Sequence, residues 1–415
     1  MNFMKNQMTE TGFEQCMKCT VCTVYCPIVA VNPSYPGPKQ AGPDGERYRL
    51  KNPLFYDNAL DLCLNCKRCE VACPSNVKIG DIIQNARLEY GDHKPGLRDF
   101  VLANTDVVGN VATAMAPIVN FTLGLKPVKS LMDTFLAVDH RRTFPKYAGE
   151  KFETWFRRNA LRQQEAFQKK VSYFHGCYAN YNNPKLAADL VRIMNAVGYG
   201  VNLLDKEKCC GVALISNGFK DKALEQALMN LESIRKAVGR EEYVLTTSST
   251  CTFTIRDEYR HILGLENDDV RDHVILATRF IFEAVCSGSV RLVFKDDYRK
   301  RIAYHTPCHM EKLGWSIYST SLLMMIPGVD FLMLDSQCCG IAGTYGFKKE
   351  HYNDSQKIGA PLFQQIRDSR IDMVATDCET CKWQIEMSTG VIVENPISIL
   401  ADALDVEATI KANQA

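Results

Sequence analysis

The sequence predicts an α+β multidomain chain in which a small α-helical domain precedes two copies of one α/β, Rossmann-like module. Three observations predict it. Two cysteine runs of identical spacing stand near the amino terminus, and a second pattern built around Cys-Cys-Gly occurs twice in the carboxyl-terminal half. Within each copy of that pattern, short apolar runs alternate with segments of helical periodicity. The length agrees, since 415 residues at 46% hydrophobic and 23% charged support more than one buried core and exclude a disordered or fibrous chain. The expected boundaries are residues 1–95 for the helical domain, 96–170 for a linker, 171–298 for the first module and 299–415 for the second.

The formal net charge is +1, from 49 Lys+Arg against 48 Asp+Glu, so the chain as a whole has no field to hold nucleic acid. Met1 to Gln15 contain no continuous apolar stretch and no small-residue cleavage site. A Sec-type signal is therefore not expected, and the chain is expected to stay in the cytoplasm. Disulfides are rare there, so 18 Cys point to metal ligation or redox chemistry.

Cys16, Cys19, Cys22 and Cys26 precede Pro27, and Cys63, Cys66, Cys69 and Cys73 precede Pro74. This doubled CxxCxxCxxxCP run is the spacing of two-cluster bacterial ferredoxins. Three closely spaced thiolates wrap one [4Fe–4S] cube, and the fourth, leaving in a new direction at the proline, reaches the other cube. The expected ligand sets are Cys16, Cys19, Cys22 and Cys73 on one cubane cluster, and Cys63, Cys66, Cys69 and Cys26 on the second. Zinc knuckles are the alternative, but zinc prefers two separated CxxC pairs. Between the runs, Pro27 to Leu62 is dense in turn formers, while Asn58 to Cys63 and Ile79 to Tyr90 read as helices. An α-helical two-cluster ferredoxin domain is expected.

The second pattern repeats in register. Cys177, the pair Cys209-Cys210-Gly211 and Cys251 match Cys308, Cys338-Cys339-Gly340 and Cys378, with steps of 32 and 42 residues in the first copy and 30 and 40 in the second. The strands expected are Val171–Phe174, Val201–Leu204 and Tyr243–Thr246, then Ile302–His305, Phe331–Leu334 and Met373–Thr376. Helices are expected at Lys185–Ala196, Lys220–Ala237 and Ser355–Ile366. Right-handed crossovers make such strands parallel, and every cysteine group then falls at the carboxyl edge, where open α/β sheets hold ligands. Buried structural cysteine is the alternative; it does not explain why Cys-Cys-Gly recurs in register with two further cysteine positions. A glycine after the pair lets the backbone turn sharply near a cofactor.

The copies differ. The second keeps five thiols, Cys308, Cys338, Cys339, Cys378 and Cys381; the first has Thr254 in place of the last and keeps Cys177, Cys209, Cys210 and Cys251. Cys286 matches neither motif and is expected to be a packed core thiol. His175, His305 and His309 flank the ligand cysteines, either tuning a cluster or serving as ordinary hydrogen-bonded histidines.

Val107 to Leu125 carries no charge but is interrupted by Gly109, Asn110, Thr113, Pro117, Asn120, Thr122 and Gly124, too many for a transmembrane helix. From His140 to Lys170 come nine Lys/Arg against three Asp/Glu, interleaved with Phe152, Trp155 and Phe156. Two readings stand side by side: an element lying in the headgroups of an anionic membrane, or a core hairpin backed by a solvated basic helix.

The order of motifs resembles the iron–sulfur subunits that accompany flavin dehydrogenases of small hydroxy compounds, and the B-type cysteine-rich domain of heterodisulfide reductases. Tyr35 to Arg47, His305 to Lys312 and Cys338 to Lys349 resemble more closely the C-subunit family of anaerobic glycerol-3-phosphate dehydrogenases, over nearly the whole chain. The resemblance implies CCG cysteine-rich modules, partner A and B subunits carrying flavin and the substrate site, peripheral attachment to the cytoplasmic face of the inner membrane, and electron delivery toward menaquinone. It implies two cubane [4Fe–4S] clusters in the ferredoxin domain. It further implies a non-cubane [4Fe–4S] cluster on Cys308, Cys338, Cys339, Cys378 and Cys381. Thr254 breaks that pattern in the first module, whose four cysteines can hold an ordinary cluster or none.

No GxGxxG follows a strand and no Walker A motif is present, so the chain is expected to be a non-catalytic redox subunit and not to oxidise glycerol 3-phosphate alone. Its rivals are a thiol/disulfide enzyme of the heterodisulfide reductase type, the same wire serving a glycolate or lactate dehydrogenase, and a structural scaffold.

Overall fold

The computed structural model describes residues 12–91 and 94–414. The first α/β module has strands β1 (Lys169–Phe174), β2 (Tyr199–Leu203), β3 (Val244–Thr246) and β4 (Val274–Leu276), all parallel, in the order β2-β1-β3-β4. The second repeats it with β5 (Lys300–Tyr304), β6 (Val329–Met333), β7 (Met373–Ala375) and β8 (Ile392–Glu394), in the order β6-β5-β7-β8. Three strands of each sheet lie where the apolar runs predict them. The fourth, β4 and β8, is only three residues long in each case and lies outside the expected strands.

The crossover helices show why the sheets are parallel. Helix Pro184–Ala196 starts where Asn183 accepts a hydrogen bond from Leu186 N, and Pro184 needs no donor at the first turn. It buries Leu186, Leu190, Ile193 and Met194 against the sheet. Helices Lys220–Val238 and Tyr352–Asp368 contain the other expected segments. One core runs through both modules, joining Val171, Tyr173 and Leu190 to Ile302, Tyr304 and Leu400. The two copies therefore share one hydrophobic interior across the expected boundary at residue 298.

Among the described residues before 97 there are helices and turns and no strand. Helix Ile79–Tyr90 is where periodicity puts it. The expected helix at Asn58 to Cys63 is instead a 3-10 turn, Asn58–Leu62, capped by Asp57, and Cys63 is extended at φ −66°, ψ 127°. An extended Cys63 starts the wrap of its loop.

The linker folds into helices Leu97–Ala103, Thr105–Ala114, Ala116–Gly124 and Lys126–Leu136. The uncharged stretch is thus two helices bent by 104°, and among the described residues no single helix is long and apolar enough to cross a membrane. Gly109 lies against Tyr181, whose ring a Cβ would meet at 2.5 Å. Asp99 pairs with Lys348 at 2.9 Å, and Asp133 pairs with Lys349. The outward face leaves Val111, Phe121 and Phe135 exposed, the last at 77%. The basic stretch behaves differently, because Phe152 and Phe156 belong to the shared core while Arg157 and Arg158 face solvent. That part fits the solvated basic helix, and the apolar exposure lies upstream. Cys286, expected in the core, is exposed at the end of helix Ala277–Cys286; the helix buries Ala277, Thr278 and Ile281 and presents its last turn to solvent.

Candidate metal centres

The two amino-terminal cysteine runs share one backbone. Lys18 and Thr20, at φ 60° and 63°, match Asn65 and Lys67, at 51° and 62°. Left-handed conformations at non-glycine residues are unfavourable and persist only where the surroundings hold them. Here each sets a loop that carries its cysteines into a short helix, Val21–Val24 or Arg68–Val71, in which Cys22 or Cys69 is buried. The loops cross. The thiol of Cys22 is pushed up by burial and by the nearby charges of Cys16, Cys73 and Cys19. Burial pushes Cys26 up to about 12, with Cys66 and Cys63 adding to it, and Cys69 is raised by burial and then by neighbours that include Cys66, Cys63 and Cys26. The structure thus groups Cys73 with the first run and Cys26 with the second. All 18 cysteines are free thiols.

In the α/β modules the cysteines stand at the carboxyl ends of the strands. Cys308 opens helix Cys308–Leu313, Cys338 and Cys339 lie in the loop after β6, and Cys378 caps helix Glu379–Thr389 with Cys381 in its first turn. Cys308 and Cys338 approach to 3.7 Å and Cys339 and Cys381 to 3.2 Å. In the first module Cys177 and Cys209 are 3.8 Å apart, with Cys210 hydrogen-bonded to Cys251. Hydrogen bonds from Cys177 and Cys210 hold Cys209 well below the usual thiol range, and those from Cys308 and Cys339 do the same for Cys338. Cys378 is drawn down to about 5, chiefly by Cys381 and with help from the Thr380 and Thr250 hydroxyls.

The glycine after each pair is left-handed, Gly211 at φ +90° and Gly340 at +84°. A Cβ at Gly340 would also meet Ser355 O at 2.0 Å, whereas the nearest atom at Gly211 is 3.7 Å away. Thr254, which stands where a fifth cysteine would be, is fully buried and donates to Glu258 at 2.9 Å.

The three cysteine regions adjoin one another. Cys66 lies close enough to Cys308 to raise its thiol, and both line one cavity. Thr250 Oγ1 lies 3.8 Å from Cys378 Sγ, Ser248 donates to Glu379 at 3.0 Å and Ser249 N donates to Asp377 O at 2.9 Å. His309 reaches Asn65 O at 3.4 Å and stacks on Phe253 with ring centroids 4.7 Å apart. Arg68, 9% exposed, donates to Ser336 O at 3.0 Å and pairs with Glu311 at 3.2 Å. Burial alone would lower its pKa, but the charges of Cys308, Glu311, Cys338 and Cys66 raise it.

His175 and His305 part ways. Burial would lower the pKa of His175, but Glu207 and Glu153 outweigh it and carry it to about 9. His305 is lowered to about 4 by burial. All the module cysteines, with Cys66, line one cavity of about 410 Å³, whose facing wall includes Val108, Ala112, Val119, Leu123, Met132 and Leu136 from the linker helices.

Arg68, Glu207 and Glu379 escape a reading confined to cysteine patterns. Each adjoins a cysteine motif in the sequence, which is the signal that marks them, yet charged residues are ordinarily solvated and carry no periodicity.

The Cysteine-rich domain (CCG) family matches residues 171–256 and 302–386, and the 4Fe-4S dicluster domain family matches residues 12–77. The chain is 58% identical over 398 residues to the C subunit of the anaerobic glycerol-3-phosphate dehydrogenase of Escherichia coli strain K12, covering 96% of this chain and 100% of that one. It is 24% identical to the B subunit of the fumarate reductase (CoM/CoB) of Methanothermobacter marburgensis, over 90% of this chain and 67% of that one. It is also 24% identical to the glycolate oxidase iron-sulfur subunit of E. coli K12, over 94% of each. With crossed cysteine runs, two CCG modules and an end-to-end match at that identity, the chain belongs to the family of anaerobic glycerol-3-phosphate dehydrogenase C subunits.

Proposed function

We propose that this chain is the iron–sulfur electron-transfer subunit of a membrane-associated anaerobic glycerol-3-phosphate dehydrogenase, carrying electrons from flavin-bearing A and B partners to menaquinone. The observation that carries the reading is the continuity of the thiol groups, from Cys66 to Cys308 and from Cys378 to the Thr250–Cys251 turn. The donor sets suit iron–sulfur clusters, because thiols gathered in fours and fives share protons, lowering Cys209, Cys338 and Cys378 while raising their neighbours, and a bound cation lets them all ligate as thiolates.

In this reading Cys16, Cys19, Cys22 and Cys73 hold one cubane cluster and Cys26, Cys63, Cys66 and Cys69 a second. Cys308, Cys338, Cys339, Cys378 and Cys381 hold a third, non-cubane cluster, and Cys177, Cys209, Cys210 and Cys251 form a fourth site. When bound, such clusters supply one-electron transfer at potentials set by cluster type, hydrogen bonds and exposure. In the modules the chain's own residues hold the ligand loops at the ends of parallel strands and bury Cys209, Cys210, Cys251, Cys338, Cys339, Cys378 and Cys381, and the Arg68 cation interacts with Cys308, Cys338 and Cys66. Thr254 in place of a fifth cysteine leaves the first module with four thiols, which favours relay over two-cluster disulfide cleavage.

Two features favour a lipophilic acceptor and a peripheral position at the inner membrane. The cavity pairs an aliphatic wall with a cysteine wall, and the outer face of the same helices exposes Phe121 and Phe135. Anaerobic purification with iron quantitation and EPR tests the proposal. The expected result is two cubane signals plus at least one further centre, reduced by Cys338→Ser. A count of about eight iron atoms, unchanged by that substitution, would retire the CCG assignment.

A further inference from the structure

His305 ends the approach to Cys308, with its backbone N–H held on Ala375 O at 2.9 Å. The residue is 1% exposed, and among the described residues neither ring nitrogen has a hydrogen-bond partner. Leaving a buried polar ring unpartnered is unfavourable. Its surroundings are sulfur, since a ring nitrogen and the thiols of Cys339 and Cys381 all lie within 4.8 Å of one another.

The first module supplies an internal comparison. His175 occupies the same place after β1, but its Nδ1 lies 3.1 Å from Glu207 and 3.0 Å from Gly176 O, and its Nε2 lies 3.4 Å from Glu153. Glu207 stands two residues before Cys209; at the same offset before Cys338 stands Ser336. The Ser336 hydroxyl donates to Glu311 at 3.1 Å and accepts from Arg68 at 3.3 Å. The carboxylate that occupies the first histidine has no counterpart at that offset in the second module, and the second histidine sits among thiols.

We propose that His305 is a positioning residue of the second module's metal centre, donating its ring N–H to the sulfur of Cys339 or Cys381, and that His175 has no such role. Whichever tautomer it adopts, an imidazole carries at least one N–H. Donation to a ligating thiolate withdraws charge from the centre and favours its reduced state, which raises the reduction potential. The inference rests on the second module holding a cluster.

The test uses the full chain purified without oxygen. In His305→Phe the iron content is expected to hold, the midpoint potential of the third centre to fall, and the two cubane potentials to stay; His305→Gln is expected to recover part of the shift. Pulsed EPR on the unaltered protein with ¹⁵N-labelled histidine needs no variant, and is expected to show a weak nitrogen coupling and an exchangeable proton at the third centre. An unmoved potential in His305→Phe overturns the proposal. So does a nitrogen coupling of ligand strength with iron lost on substitution, which would make His305 an iron ligand. Absence of any third centre in the unaltered protein retires the cluster reading and this proposal together.

Discussion

Arg68 senses thiols of both the amino-terminal runs and the second module, and its bonds to Ser336 and Glu311 fix it there. A fixed positive charge favours whichever state of a neighbouring centre is more negative. At an effective dielectric of about 20 and a separation of about 8 Å, a unit charge is worth roughly 2 kcal/mol. For a one-electron couple this corresponds to on the order of 50–100 mV. Arg68→Gln should therefore lower the midpoint potentials of the centres at Cys66 and Cys338 while leaving that at Cys16 nearly unchanged. EPR-monitored redox titration reads this directly, and equal shifts at all centres would contradict it.

At the scale of elements, the linker helices are fastened to the second module by two carboxylates. Burial would raise Asp99, but its bonds to Lys348 and Gly96 N hold it below the usual range. Asp133 is held lower still by Lys349 and then by His140. Both pKa values are depressed by folding, so their stabilisation is complete above the ordinary carboxylate value of about 3.9 and drains away as the pH falls below it. Helix Lys126–Leu136 should lose amide protection between about pH 4 and lower values, and Lys349→Met should loosen it already at pH 7. Hydrogen exchange by mass spectrometry measures both; protection factors that stay constant on acidification would refute the fastening. The bend of 104° between helices Thr105–Ala114 and Ala116–Gly124 belongs to the same region, and explains why the charge-free stretch Val107 to Leu125 lies along the body of the protein.

For the whole molecule, the decisive contact is a buried charge network where three regions meet. Lys67 pairs with Asp81 and lies 3.8 Å from Glu70 and 3.9 Å from Glu258 of the first module, while Lys312 of the second pairs with Glu70 at 2.9 Å. Asn65 donates to Glu258 at 2.8 Å. Removing one partner of a buried set leaves charge uncompensated at a cost of about 3–5 kcal/mol. Lys67→Met should lower the urea midpoint followed by far-UV circular dichroism and expose the amino-terminal domain to proteolysis; a midpoint within error of the unaltered protein would show that the network does not hold the regions together.

Much of this molecule was legible in its cysteine spacing. Residues two or three apart share one loop, so local geometry alone decides that Cys16, Cys19 and Cys22 converge, and the recurrence of Cys-Cys-Gly reveals two copies of one sheet. The β4 and β8 strands escaped because no cysteine group of the repeat follows them to mark their ends, and Cys286 because helix amphipathicity does not say which turn ends in solvent. What folding alone decided are the meetings of distant residues: Cys66 with Cys308, Thr254 with Glu258, His175 with Glu207 while His305 turns to sulfur. Apart from Thr254 and Glu258, four residues apart on one helical turn, those partners lie far apart along the chain and are chosen by packing and burial, which no local pattern of residues encodes.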